Sequence, residues 1–476
     1  MFSVYTSSDM IGSPREMYEL LKEASKERPV AGNQDGSYLT LKSNYGLIFG
    51  VIQLCSGMGT VFLDQGYWQR AIASRPTTAV KAYILGGFAW FAIPFGFATT
   101  LGLSAVALTS NPKYPTYPNP MTTSQIQAGL AAPFAAQTLL GKPGAIALLI
   151  TLFMAVTSSS SSELIAVSSI LTFDVYKTYF KPHATGEQLI FVSHVMICVF
   201  GVIMAAFASI WNAVGINLGW LFLVMGLIIG GAVFPAAFTV TWKGQTRLGA
   251  ISGCLVGLAA GLTAWLVQAK VQYGVINVTT TGGSYPTLAG NMAGVLTGLI
   301  VSVAVSLVKP DDFDWSTTRA INMKTLDGQE ESESPSPSPP NGSNVEGTEK
   351  EPGIIDNGKE RKHSHPDHHH DLPTVQEEDR EMAEDARYLE DPKALRRSYV
   401  LAVVLSVVLT FIMCFLVPIP MFLSHYIFSE KGFTAWVVIS FIWVFAALAI
   451  CGVLPIWETR KFWKLLAVEI FQKKKA

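Results

Sequence analysis

Residues 155–166 read Ala155-Val156-Thr157-Ser158-Ser159-Ser160-Ser161-Ser162-Glu163-Leu164-Ile165-Ala166, in the middle of an apolar run from 144 to 173. Such a run exceeds the ~20 residues that cross a hydrocarbon core about 30 Å thick, with surplus for tilt or extension past the interface. Backbone groups in lipid must be satisfied internally, so the run is a helix. On a helix, positions 155, 158, 159, 162 and 163 share one face. That face offers hydroxyl oxygens, a backbone carbonyl at Ala155 and the Glu163 carboxylate, donors suited to a hard cation or a polar solute. Serines alone are also explained by close helix packing with interhelical hydrogen bonds. Glu163 tips the balance, because a carboxylate in a membrane span usually lines a pathway or relay. It is the candidate proton relay.

Eight further apolar runs lie at 46–68, 82–108, 189–210, 216–240, 248–268, 289–308, 399–424 and 434–456. Hydrophobic residues make up 50% of the 476, and charged residues only 14%, with a mean hydropathy of +0.35. An average soluble protein carries roughly 25% charged residues. The chain therefore reads as an all-α polytopic membrane protein with about nine transmembrane helices. A net charge of −1 excludes a strongly basic nucleic-acid binder. All five cysteines fall inside apolar runs without metal-ligand spacing, which reads as packing and not as a disulfide framework. The sequence contains no nucleotide-binding loop, zinc-type spacing or nucleophile elbow, so ATP-driven transport and hydrolysis lack support. The expected protein is not an enzyme and takes no cofactor.

Lys and Arg set the orientation. Arg70, Arg75 and Lys81 follow the first span, Lys177 and Lys181 the third, and Lys243 and Arg247 the fifth, while the intervening loops are poorer. The tail carries Arg460, Lys461, Lys464, Lys473, Lys474 and Lys475. This pattern places the C-terminus in the cytoplasm and the sequon Asn277-Val278-Thr279 outside, where glycosylation can occur. Residues 1–45 become an extracellular polar segment without a signal peptide. Either the positive-inside reading fails here or helices precede Met1, and the second is the expectation. Residues 309–397, rich in Pro, Ser and Glu with a histidine run at 363–370, read as a disordered cytoplasmic loop. The histidine run is expected to be a solvated cluster and not a metal site. Spans at 398–457 and a basic cytoplasmic tail at 458–476 complete the chain.

A second polar segment, residues 57–70, closes the first span. Gly57 and Gly59 permit a broken helix in mid-membrane, which is tolerated only beside a cavity. Asp64 and Gln65 would offer polar contacts and Tyr67 an aromatic wall. Alternatively, Asp64 pairs with Arg70 at the interface and only holds the helix end. His194 reads as a core histidine, Asp174 as an anchor or cap, and Pro94 and Pro235 as kinks.

Residues 155–159 together with Val167-Ser168-Ser169-Ile170-Leu171-Thr172-Phe173-Asp174-Val175-Tyr176-Lys177 resemble the eighth core helix of the sodium:solute symporter family. Asp64-Gln65-Gly66-Tyr67-Trp68-Gln69-Arg70-Ala71-Ile72-Ala73 resembles its sixth. Within the family, residues 14–21, 37–40 and 59–73 are similar to the urea active transporters, closely to fungal members.

The resemblance implies a LeuT-type fold of two inverted five-helix repeats plus peripheral helices. Residues 46–240 would be core helices six to ten, the second repeat, and 241–308 peripheral helices. The first repeat would then lie outside this chain, which would be a C-terminal portion of a longer transporter. The resemblance also implies a sodium site at Ala155, Ser158 and Ser159, and substrate contacts at Asp64, Gln65 and Tyr67. Glu163 occupies a position often uncharged in sugar and proline relatives, which leaves sodium and proton open as coupling ions. The expected function is cation-coupled urea symport by alternating access across the plasma membrane, with polyamines as a further substrate class. The alternatives are a truncated, non-transporting membrane protein and a passive urea channel.

Overall fold

The computed structural model describes residues 1–74, 76–315 and 392–460. It divides into two units, 1–311 with 391–476, and 312–390. Of the second, residues 312–315 are described, and there Phe313 and Trp315 pack edge to face at 5.4 Å. The histidine run, most of the polar loop and the basic tail after Arg460 lie outside the described residues.

The described residues of the first unit are helical apart from loops and two isolated bridges, Asn33–Ser43 and Thr40–Ile427. An amphipathic helix α1 (Pro14–Glu27) begins at Ser13, whose side chain accepts the Glu16 amide, and Pro14 supplies a helix-ready φ at the first position. Then come α2 (Asn44–Leu63), α3 (Gln65–Ile72), α4 (Pro76–Trp90), α5 (Ala92–Phe97), α6 (Leu103–Ala107) and α7 (Thr123–Gln127). Long α8 (Ala131–Ser169) continues as a wider π-helix over Ile170–Phe180. It is followed by α9 (Gly186–Val214), α10 (Leu218–Gly230), α11 (Val233–Thr241), α12 (Arg247–Tyr273), α13 (Val278–Thr281) and α14 (Ser284–Val308). The last described elements are α15 (Pro392–Thr410), α16 (Pro418–Leu423), α17 (Glu430–Leu448) and α18 (Leu454–Glu458).

Among the described residues, eight helical segments are long and apolar enough to cross a membrane, and the pair α10–α11, bent by 48°, makes a ninth. These nine coincide in order with the nine apolar runs. The bend between α10 and α11 has proline as its cause. Pro235 has no amide to donate to Gly231, and α10 and α11 separate at 231–232. At Pro94 there is no such bend: Phe91 keeps helical torsions (φ −59°, ψ −24°) and residues 77–107 run on as one candidate span. Inside α8, Gly141 takes φ 64°, a left-handed value open to glycine, two residues before Pro143.

The tightest packing joins α12 to α14 with α10 alongside. Gly249, Gly253, Gly257 and Gly261 are buried on one face of α12, opposite Gly290, Gly294, Gly298, Ser302 and Ser306 of α14. A Cβ on Gly257 would lie 2.8 Å from Gly231 Cα, 2.9 Å from the Gly294 carbonyl and 3.1 Å from Gly298 Cα. Small residues let backbones approach closely where lipid gives helices no hydrophobic drive to associate. Polar side chains hold the same seam. Gln245 donates to the Pro235 carbonyl (3.0 Å) and to Ser302 (3.3 Å). Fully buried Asn291 donates to the carbonyls of Thr287 (2.8 Å) and Leu223 (3.3 Å).

A separate apolar cluster ties the first residues to α1 and α17. It holds Tyr5, Met17, Leu21, Leu108, Tyr114, Phe433 and Val437. Tyr5 donates to the Thr99 carbonyl at 2.5 Å, and burial pushes its phenol well above the usual tyrosine range. The sequon residue Asn277 caps α13, accepting the Thr280 amide at 2.9 Å, in the short connection between α12 and α14.

Candidate functional site: the break at Asp64 against the serine helix

The helix break falls at Asp64 and not at the glycines upstream. Gly57 and Gly59 lie inside continuous α2, and Gly59 packs instead against Ile229 and Val233, where a Cβ would meet Ile229 at 2.7 Å. Asp64 takes an extended conformation (φ −81°, ψ 111°). Its Oδ1 accepts the Gly66 amide at 2.7 Å, which caps α3 and places the carboxylate at the positive end of that helix. Trp68 bridges the break by donating its indole N–H to the Phe62 carbonyl at 2.9 Å. Tyr83 of α4 donates to the Tyr67 carbonyl at 2.8 Å, so the backbone of α3 is held from a second side.

Helix α3 rests on α8. Gly66 is buried, and a Cβ built on it would lie 3.8 Å from the Ala166 Cβ. One turn on, the Arg70 guanidinium donates to the Ser162 hydroxyl. Asp64 and Arg70 form no ion pair among the described residues, so capping by Asp64 and the Arg70–Ser162 bond replace the pairing that the sequence allowed.

Of the sequence-derived site residues, Asp64 caps α3, Gln65 and Tyr67 stand on its first turn, and Glu163 follows Ser162, the residue through which α8 meets Arg70. Ala155, Ser158 and Ser159 are not part of that contact. They lie on the exposed upper length of α8, with Ala155 about 12 Å from Glu163 along the axis at 1.5 Å per residue. The next face of α8, with Val156, Thr157, Ser160, Ser161 and Leu164, lines a shallow hollow of about 500 Å³ shared with Ile197 of α9. No group of three or more His, Cys, Asp or Glu side chains is placed to hold a metal ion among the described residues.

Sequence reasoning missed the Arg70–Ser162 bond and the Gly66–Ala166 approach. The glycine seam of α12 and α14 also went unread, although its four-residue glycine repeat was the available signal.

Helices long and apolar enough to cross a membrane, with chain breaks at Asp64 and between α10 and α11, define an integral multi-pass membrane protein. The sodium:solute symporter family model matches residues 7–257, and the chain belongs to that family. The chain is 36% identical to the probable urea active transporter 1 of Schizosaccharomyces pombe over 97% of its length, covering 61% of that relative. Against the urea active transporter of Saccharomyces cerevisiae the identity is 38% over 96% of this chain and 64% of the relative. The urea-proton symporter DUR3 of Oryza sativa is 46% identical over 67% of this chain and 45% of its own length. The chain therefore spans less than two thirds of the length of each of these relatives. No solved structure matches it.

Proposed function

We propose that this chain carries core helices six to ten and the peripheral helices of a urea symporter driven by a cation gradient, working by alternating access in the plasma membrane. The observation that carries the reading is the break at Asp64, which sets a capped, polar helix start against α8 through Gly66–Ala166 and Arg70–Ser162, with Glu163 next in the chain to Ser162. Urea is a small planar solute with one carbonyl acceptor and four N–H donors. Asp64 Oδ1 caps α3, which leaves Oδ2 for a urea N–H. Gln65 offers both a donor and an acceptor, and Tyr67, 42% exposed, offers a ring face to stack on. Polyamines, which are cationic, would use the same carboxylate.

Proton coupling is the better-supported choice. Glu163 is a titratable group next in the chain to Ser162, which Arg70 of α3 holds, and a similar protein from rice is named a urea-proton symporter. Sodium at Ala155, Ser158 and Ser159 is the competing reading, supported by the family resemblance and by the exposed oxygens of that stripe.

The test is uptake of labelled urea in transporter-deficient yeast. The chain is expressed alone and joined behind the portion of the Saccharomyces relative that precedes core helix six. Accumulation that collapses when the proton gradient is dissipated supports the reading. Accumulation that follows sodium transfers the coupling to the serine stripe. Urea equilibration indifferent to either gradient indicates a channel, and the absence of urea flux in both forms overturns the reading.

A further inference from the structure

Among the described residues, two that are not glycine take a left-handed backbone, Asp35 (φ 50°) and His425 (φ 54°). Such positions cost energy and persist only where their surroundings hold them. These two meet at Gln34. Its side-chain nitrogen donates to Asp35 Oδ1 at 3.0 Å, and its oxygen lies 2.8 Å from His425 Nδ1, 391 residues away along the chain. Because the Gln34 nitrogen is engaged by Asp35, its oxygen is the acceptor and His425 Nδ1 carries the hydrogen.

Backbone bonds join the same two segments. Phe428 donates its amide to the Leu39 carbonyl at 2.8 Å, Thr40 Oγ1 donates to the Tyr426 carbonyl at 2.7 Å, and Thr40 and Ile427 form an antiparallel bridge. The Lys42 ammonium lies 3.8 Å over the Phe422 ring. Residues 32–44 are closed on themselves, since Gln34 donates to the Lys42 carbonyl (2.9 Å) and Asn44 to the Gly32 carbonyl (3.0 Å). Helix α2 starts at Asn44. The turn between α16 and α17 is therefore fastened to the entry of the span that breaks at Asp64, on the face where the charge pattern puts residues 1–45. Besides Asp35 and Lys42, the titratable groups on the joined segments are Tyr38, Tyr45, Tyr426, Glu430 and Lys431, with Arg15 of α1 3.7 Å from Glu430. Helix α16 carries none.

We propose that His425 is a proton-tightened latch between the last two spans and the entry to α2. Histidine gains its charge between pH 8 and pH 5. The added proton goes to Nε2 while Nδ1 keeps its hydrogen, so the bond to Gln34 becomes charge-assisted and roughly twice as strong. Lys42 repels the new charge, and Arg15 offsets Glu430. Asp35 is tied to His425 through a continuous pair of hydrogen bonds, so its attraction sets the sign. The latch holds harder in acid and loosens as pH rises. It needs neither urea nor Glu163, so its failure and that of the transport reading are separate results.

The test is hydrogen exchange at the Phe428 amide, read by mass spectrometry on residues 424–430 of the chain in lipid nanodiscs from pH 5 to pH 8. His425→Asn is the reference. Asparagine takes a left-handed backbone and puts a donor where Nδ1 stood, but it cannot titrate. Dividing each exchange rate by that of His425→Asn at the same pH cancels the intrinsic pH dependence. The ratio is expected to fall about fivefold from pH 8 to pH 5. In a Gln34→Ala background, which lacks the acceptor, the same ratio is expected to stay flat. A ratio independent of pH with Gln34 present overturns the proposal, as does a fall that survives Gln34→Ala. Sidedness is read with the five native cysteines replaced. His425→Cys is expected to react with a membrane-impermeant maleimide in intact cells, and reaction only after permeabilisation overturns the outer placement of the latch.

Discussion

Gly257→Ala adds one methyl group to the tightest point of the α10–α12–α14 seam. Its Cβ would stand 2.8 Å from Gly231 Cα, 2.9 Å from the Gly294 carbonyl and 3.1 Å from Gly298 Cα. All three are backbone atoms on two different neighbours, so no side chain can swing aside. Ordinary carbon contacts need about 3.5–4.0 Å, and α12 must therefore retreat by roughly 0.7–1 Å. That retreat also loosens Gly253 and Gly261, which meet the same facing helix. Overpacking of this kind costs about 1–3 kcal/mol. Alanine returns up to about 1 kcal/mol through its better helix propensity. With the full offset the net expected loss is about 0–2 kcal/mol, read as a lower melting temperature of the detergent-solubilised chain by fluorescence-detected size exclusion.

Gly86→Ala is the matched control. A Cβ there meets nothing within 4 Å, so only the propensity gain remains and the melting temperature should hold or rise. If Gly257→Ala melts with or above Gly86→Ala, the close approach of these helices is not what holds the seam.

Two further outcomes test the site. Asp64→Asn keeps the cap on α3 while Asp64→Ala loses it, so Ala should cost about 1 kcal/mol of stability that Asn does not; both should weaken urea uptake if the charge itself is used, and equal melting of the two variants would remove the capping role. Ser158→Ala with Ser159→Ala removes two oxygens without adding bulk, so the apparent affinity for the coupling cation should fall before protein abundance does. An unchanged cation dependence of uptake would make the stripe a packing surface.

Much of this architecture was legible because lipid imposes a simple rule, that long apolar runs become helices. The nine runs agree in order with the nine candidate spans of the described residues, and Pro235 marked a bend while Pro94 did not. The position of the first break was less legible. Gly57 and Gly59 looked like the weak point, but a glycine inside a membrane helix serves close packing as readily as unwinding, and Gly59 is pressed against Ile229. Asp64 breaks the chain because its side chain competes for a backbone amide two residues on. The partner of Arg70 was hidden for a different reason. Arg70 and Asp64 are six residues apart in sequence, whereas Ser162 comes near only once α3 lies on α8, a contact 92 residues long in the chain.

Glu163→Gln gives the most direct test of the central claim, which is that a proton taken by this side chain drives urea accumulation. Glutamine preserves shape and hydrogen bonding but cannot titrate. In the form of the protein that supports urea flux, labelled urea is followed under two conditions, exchange against unlabelled urea without a gradient and uptake under an inward pH gradient. The account predicts that exchange survives in Glu163→Gln while gradient-driven accumulation is lost. Accumulation that persists in the variant with an unchanged pH profile would contradict it and leave Ala155, Ser158 and Ser159 as the coupling site.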